Sequence, residues 1–397
     1  MPRPVVELAD IFRRYGPAYR AQHRLPLDSQ KVIEAVVACR TAVLGSHTDV
    51  CNQCSHTRIS YNSCRNRHCP KCQSLARAKW LEARKAELLP APYFHVVFTV
   101  PEQIAAIAYY NQKALYDILF QATVQTLLTI ARDPQHLGAG IGFFAILHTW
   151  GQNLLFHPHL HCVIPGGGIS PDRQSWIGCR PGFFLPVRVL SRLFRRLFLE
   201  ALKTAFDEDQ LKFFGDLQPL SNRHSFLDYL APLGKCEWVV YAKPPFGGPQ
   251  QVLQYLGRYT HRVALSNQRL LNIDGDQVTF RYKDYRLNSN EQHKVMSISA
   301  DEFIRRFLLH VLPARFRKIR FYGFLSNRRR KTELQHCRLL LATPASALLP
   351  KPADYREFYE ALTGCSLQRC PVCGTGEMIR VSSTLPVRRA RPPPDTS

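Results

Sequence analysis

The sequence predicts an α+β protein preceded by a metal-stapled module, and three observations carry that prediction. Strand-like runs, YFHVVFTV, GFFAILHTW and HLHCVIPGG, alternate with helical stretches. The pair Asp274-Gly275 between LLNI and VTFRYKD marks a β-hairpin. The segment from His47 to Cys72 is polar, cysteine-rich and poor in aliphatic residues, so it needs a stabilising element other than a hydrophobic core. Strands that alternate with helices and end in a hairpin place one α+β domain over roughly 91–290.

The elements follow in order. Residues 1 to about 45 read as helical, with Val32, Ile33, Val36, Val37 and Ala42 spaced for one buried face. A helix is expected from Gln73 to Leu89, a strand from Tyr93, helix over 102–132, two strands, and a long helix from about Val187 to Phe206. CEWVVYAK reads as a strand, PPFGG as a loop, and PQQVLQYLGRYTHRVAL as a helix beginning near Pro249. Over 303–331, arginine and lysine interleave with Phe and Tyr and end in Arg328, Arg329 and Arg330. That texture is read as phosphate contacts combined with stacking, in line with the charge of the whole chain; the alternative is a basic, half-exposed helix and strand. The expected divisions are therefore 1–90, 91–290, 291–345 and 346–397, the last ending in a proline-rich, basic, disordered stretch.

Composition narrows the partners. Fifty-three Lys and Arg against 30 Asp and Glu leave a net charge of +23, far beyond what solubility requires and suited to nucleic acid. No run approaches the roughly 18 apolar residues of a membrane span, and the amino terminus lacks a signal peptide's apolar core, so the expected location is cytoplasmic with no membrane partner. No phosphate loop of the GxxxxGK[ST] kind appears.

In a reducing compartment the 13 cysteines are better read as metal ligands than as disulfides. Cys51-x2-Cys54 and Cys69-x2-Cys72 have the spacing of two knuckles closing on one tetrahedral, structural Zn²⁺, with Cys64, His56 and His68 as competitors. Basic neighbours including Arg65, Arg67 and Lys71 suggest that the ribbon contacts DNA. CSLQRCPVC at 365–373 echoes CRNRHCPKC at 64–72, but shows one CxxC only. A second zinc there would need Cys365, or His336 and Cys337, or another chain. Cys39, Cys162, Cys179, Cys236 and Cys337 read as ordinary buried thiols.

Two further patterns carry chemistry. In FHPHLHCVIPGGG, His157, His159 and His161 alternate and share one strand face, where neutral imidazoles on a stiff scaffold suit a divalent metal. The glycines let backbone approach a ligand, or turn the strand. In QYLGRYTHR, Tyr255 and Tyr259 sit four apart on one helix face. Such pairs usually pack a core, but Arg258, His261 and Arg262 make a poor core and a good phosphate site.

Taken together, these motifs resemble the rolling-circle insertion-sequence transposases, two-tyrosine members of the HUH endonucleases, over roughly residues 1–345. His159-Leu160-His161 matches the histidine, hydrophobic, histidine motif; Tyr255 and Tyr259 match the paired nucleophiles; the Cys51 to Cys72 ribbon matches the zinc domain. The resemblance implies an HUH-type antiparallel sheet flanked by helices. It also implies that His159, His161 and one more polar side chain hold Mg²⁺ or Mn²⁺ against the scissile phosphate of single-stranded DNA. The third ligand is assigned to Gln152, where related nucleases carry a Glu, with His157 and His148 as alternatives. The rival readings are a zinc-ribbon DNA-binding protein without catalysis, a two-metal carboxylate nuclease, and a replication initiator or relaxase of the same chemistry.

Overall fold

The computed structural model describes residues 5–243, 251–252, 257, 263–284, 293–342 and 355–387. Tyr255, Tyr259, Arg258 and Arg262 lie outside them. The fold is α+β with antiparallel sheets, as the alternation of strand and helix patterns predicts.

Among the described residues, the largest sheet runs in the order β12-β4-β5-β3-β8. It comprises Ile319–Gly323 (β12), Gly142–Trp150 (β4), Phe156–Pro165 (β5), Tyr93–Thr99 (β3) and Val240–Lys243 (β8). Its edge strand β12 comes from the basic 303–331 stretch, outside the 91–290 span. β4 opens on an apolar run, Phe143 to Leu147, because it is buried on both faces. One face carries Phe94, Val96, Phe98, Phe143, Leu147, Leu160, Cys162 and Ile164, covered by Glu102–Tyr110 (α4), Gln112–Arg132 (α5), Val187–Asp207 (α6) and Arg223–Lys235 (α7). α5 is long and apolar enough to cross a bilayer, yet it is a core helix that buries Leu115, Tyr116, Leu119, Phe120 and Leu127. The break between α4 and α5 falls at Asn111. Its side chain donates to the carbonyls of Ile107 and Lys212 instead of extending one helix over 102–132.

The opposite face carries Tyr93, Phe144, Ile146 and Val163, and then the histidines. It is covered by Gln73–Lys85 (α3), through Trp80 and Leu81, and by Val252, which is fully buried.

A second core joins Leu8–Gln22 (α1) and Leu27–Ala38 (α2) to the sheet Leu270–Asp274 (β9), Gln277–Lys283 (β10) and His293–Ser299 (β11), and to Ala300–Leu308 (α8). β9 and β10 form the hairpin that Asp274-Gly275 signals, with Gly275 at φ +54°. α8 buries Ala300, Phe303, Ile304, Phe307 and Leu308, the spacing of one helical face. Ser299 caps it by accepting from the Glu302 amide.

The glycines after β5 turn out to serve strand packing. β5 runs on into Gly167–Ile169 (β6), which pairs with Trp176–Gly178 (β7). A Cβ at Gly167 (φ +155°) would lie 2.6 Å from the Ile177 carbonyl oxygen, and one at Gly168 would lie 2.6 Å from that of Gly140. Neighbouring backbone therefore fills the space that a side chain would need.

The amino-terminal ribbon consists of Ser46–Cys51 (β1) and Thr57–Tyr61 (β2). It is completed by Met378–Thr384 (β13), so the sheet order is β13-β1-β2. Arg330–Leu340 (α9) and Tyr355–Thr363 (α10) lie between the central sheet and that last strand in sequence.

Candidate metal centres and active site

The histidine site is built across two strands. His159 and His161 lie on β5, and the pairing with β4 sets His148 opposite His159 and Ile146 opposite His161. His148, His159 and His161 each bring one ring nitrogen to within 4.8 Å of the other two, a spacing that a single ion can bridge. His148 and His161 are buried, and the His148 ring stacks on Trp150 with centroids 4.9 Å apart. The ring orientations fit ligation. His159 donates through Nδ1 to the His157 carbonyl at 2.7 Å, which leaves the Nε2 lone pair for a cation. His161 Nδ1 lies 2.8 Å from Nε2 of the buried His95 on β3, so Nε2 is the ring nitrogen that faces away from this contact.

His157 itself is exposed, and it is its backbone that orients His159. Gln152 lies half-buried in the turn after β4, where its carbonyl accepts from Arg269. The side chain that closes the group is His148. Its sequence signal was a polar residue placed in phase with Phe144 and Ile146 on an otherwise apolar strand.

The cysteines do not group as Cys51, Cys54, Cys69 and Cys72. Instead Cys39, Cys64, Cys69 and Cys72 form one cluster, and Cys51, Cys54, Cys370 and Cys373 form another. Cys39, expected to be an ordinary thiol, is a member of the first; it follows α2 directly, while Cys72 caps α3. Cys72 Sγ lies 3.5 Å from Cys39 Sγ and 3.6 Å from Cys64 Sγ. Zn–S bonds of about 2.3 Å in a tetrahedron separate sulfurs by about 3.8 Å, whereas a disulfide needs about 2.05 Å. Four crowded thiols cannot all ionise unaided. Hydrogen bonds from Cys39 hold Cys72 well below the usual thiol range, and the same neighbour pushes Cys64 and Cys69 up. A divalent ion removes that conflict by taking all four as thiolates.

The expected DNA-contact residues divide. Arg67 donates to the Phe316 carbonyl at 2.6 Å, and burial lowers its pKa. Lys71 pairs with Glu7. Arg330 pairs with Glu87 at 3.1 Å and lies over the Phe321 ring at 4.9 Å. Those three side chains have structural partners, whereas Arg65, Arg328 and Arg329 are exposed. Arg320, within the same basic stretch, lies over Phe120 and Phe316 and pairs with Asp117. Much of the interleaving of arginine with aromatics is therefore internal packing. Arg315 and Arg317 add exposed charge beside it.

Residues 11–100 match a family described as "Transposase zinc-binding domain", and residues 142–333 match one described as "Putative transposase". The first span contains Cys39, Cys64, Cys69 and Cys72; the second contains the three histidines and both tyrosines. The chain is 63% identical over 384 residues to "Putative transposase y4qJ" of Sinorhizobium fredii, covering 96% of each chain. It is 27% identical over 353 residues to "Transposase for insertion sequence element IS801" of Pseudomonas savastanoi pv. phaseolicola, covering 87% of this chain and 81% of that one. No solved structure matches the chain.

Proposed function

The chain belongs to the insertion-sequence transposase family whose members carry a transposase zinc-binding domain, and from that premise we propose that it nicks and transfers single-stranded DNA by the rolling-circle route, through 5′-phosphotyrosine intermediates. The observation that carries this reading is the burial of Val252 among Tyr93, Phe144, Ile146 and Val163, on the face of the sheet that also carries the histidines. Val252 stands three residues before Tyr255 and seven before Tyr259, the recurrence of a single helical face. Val252 is thus anchored on the sheet face that carries His148, His159 and His161.

In this reading those three imidazoles hold one Mn²⁺ or Mg²⁺. An ion held there would supply charge neutralisation and polarisation at the scissile phosphate. Three neutral nitrogen donors suit Mn²⁺ better than the harder, oxygen-seeking Mg²⁺. Tyr255 or Tyr259 attacks phosphorus through its phenolic oxygen, in line with the departing 3′ oxygen. The tyrosine O–P bond forms as the P–O3′ bond breaks. The phenolic proton passes to a base, for which His261 stands close by in sequence, and the 3′ oxygen takes up a proton. The phosphotyrosine conserves the energy of the original diester, so a 3′-hydroxyl can reverse the step without ATP. Two tyrosines allow two strand ends to be held in succession. The exposed Arg65, Arg328 and Arg329, together with Arg258 and Arg262, supply phosphate contacts, and the protein works on cytoplasmic, nucleoid DNA.

The test is a covalent adduct. Wild type, Tyr255→Phe, Tyr259→Phe and the double variant are incubated with Mn²⁺ and labelled single-stranded DNA carrying the element's own end, then run on a denaturing gel. An adduct with wild type and none with the double variant is expected. Wild type that binds this DNA yet forms no adduct would turn the assignment to a zinc-ribbon DNA-binding protein without catalysis.

A further inference from the structure

We infer that Cys51, Cys54, Cys370 and Cys373 form a second structural zinc site, which clasps the far end of the chain to the amino-terminal ribbon. The zinc-binding family match ends at residue 100, so it takes in only half of this donor set.

The sulfur geometry is that of a tetrahedral site. Cys51 Sγ lies 3.7 Å from Cys373 Sγ, Cys54 Sγ lies 3.6 Å from Cys370 Sγ, and all four sulfurs lie within 4.8 Å of one another. These separations match the roughly 3.8 Å between sulfurs around one Zn²⁺.

The two CxxC turns are also built alike. In the first, the Ser55 amide donates to the Cys51 carbonyl at 3.2 Å; in the second, the Gly374 amide donates to the Cys370 carbonyl at 3.1 Å. Ser55 and Gly374, each four residues after the first cysteine, both adopt the left-handed conformation, at φ +54° and +72°. Backbone amides point at the sulfurs: Gln53 and Cys54 at Cys51, Val372 at Cys370, and Gly376 at Cys373, over 3.3–3.5 Å. Such donors stabilise thiolates. Gly376 is the point of closest approach, because a Cβ there would meet Cys51 Sγ at 2.4 Å.

The sheet around the site cannot hold itself together by burial. Its core is Cys51, Cys370 and Met378, with Cys373 packed against it, and every residue of β13 after Met378 is exposed. β2 alternates between exposed and half-buried residues. Three short strands with solvent on both faces are marginal in water, and a small module of this kind needs a metal or a disulfide. The cysteines are free thiols. The metal therefore holds β13 in register, from Met378 opposite Cys51 to Thr384 opposite Ser46. Residues more than 310 positions apart become one module.

The decisive experiment uses the full chain. Zinc-replete protein is treated with iodoacetamide before and after chelation, and each cysteine is followed by mass spectrometry, alongside zinc content per chain. Cys236, Cys365 and Cys54 are all exposed. The clasp predicts that Cys236 and Cys365 label at once while Cys54 and Cys373 label only after chelation, with two zinc ions per wild-type chain. Cys370→Ser/Cys373→Ser should retain one, and amide exchange over 378–384 should quicken to the rate of an unstructured strand. Labelling of Cys54 and Cys373 as fast as Cys365 in zinc-replete wild type would overturn the proposal. So would a double variant that keeps as much zinc as wild type.

Discussion

His95 shows how one side chain outside the motif enters the site. Burial, reinforced by Lys243 and His159, pushes its pKa down to about 3, so it stays neutral, with its Nε2 2.8 Å from His161 Nδ1. On the proposed reading, His161 donates from Nδ1 in that contact and keeps Nε2 for the ion, the role a carboxylate or carbonyl plays behind many ligating histidines. His95→Ala should weaken Mn²⁺ binding about 10–100-fold while leaving zinc content unchanged, as read by calorimetry and elemental analysis. A folded His95→Ala chain with wild-type Mn²⁺ affinity would reduce His95 to packing. The sequence reveals β3 around His95 but not this role, since a lone histidine in an apolar run carries no spacing signal. His159 and His161 were legible because alternation alone put them on one face. His148, one of the alternatives to Gln152 in the sequence, is set opposite His159 only once β4 is laid beside β5, and no local pattern states which strands pair.

At the scale of an element, the turn joining β4 to β5 holds the two histidine-bearing strands in place, and a histidine beyond α8 closes it. Leu154 is fully buried with φ +63°, a conformation that a branched side chain adopts only under constraint. Its carbonyl accepts from His310 Nε2 at 3.1 Å, and His310 Nδ1 accepts from the Thr149 hydroxyl at 3.2 Å. The bond from Thr149 requires the neutral ring, because it uses the Nδ1 lone pair. Burial lowers the His310 pKa to about 4, partly opposed by the bond to Leu154. The unfolded chain takes up that proton near pH 6.5, so it binds more protons than the fold between about pH 6.5 and 4. Stability from this group is therefore complete above pH 6.5 and falls as pH drops through that window, by about 3 kcal/mol in all. His68 and His95, both pushed to about 3 by burial, add to the same slope. Denaturant unfolding from pH 7 to 4.5 should show the loss, and His310→Gln should flatten it by one proton's share. An unchanged slope would remove His310 from the account. Most helices and strands here were readable from periodicity and caps, because their burial patterns are local. This turn was not, since its backbone strain is held by a residue more than 150 positions away.

Across the whole molecule, what local reading left out is the long-range assembly. The cysteine spacings pointed to zinc, but each CxxC found partners outside its own motif: Cys69 and Cys72 with Cys39 and Cys64, Cys51 and Cys54 with Cys370 and Cys373. Charge behaves in the opposite way, since a net +23 is a property of the sum and was legible at once. The structure refines which cations remain available. Arg67, Lys71, Arg320 and Arg330 have partners within the fold, while Arg65, Arg315, Arg317, Arg328 and Arg329 are exposed. Each phosphate that a cation neutralises releases counterions, so affinity for DNA should fall steeply with salt. For about six to ten contacts the loss is about 10³–10⁵-fold between 50 and 200 mM. Arg328→Ala/Arg329→Ala should lower the slope of log affinity against log salt by about 2 and weaken binding to unrelated sequences equally, because phosphate contacts carry no sequence information. The corresponding change at Arg67 or Arg330 should instead lower the melting temperature. Equal salt slopes for wild type and Arg328→Ala/Arg329→Ala would place the DNA path on another face of the protein.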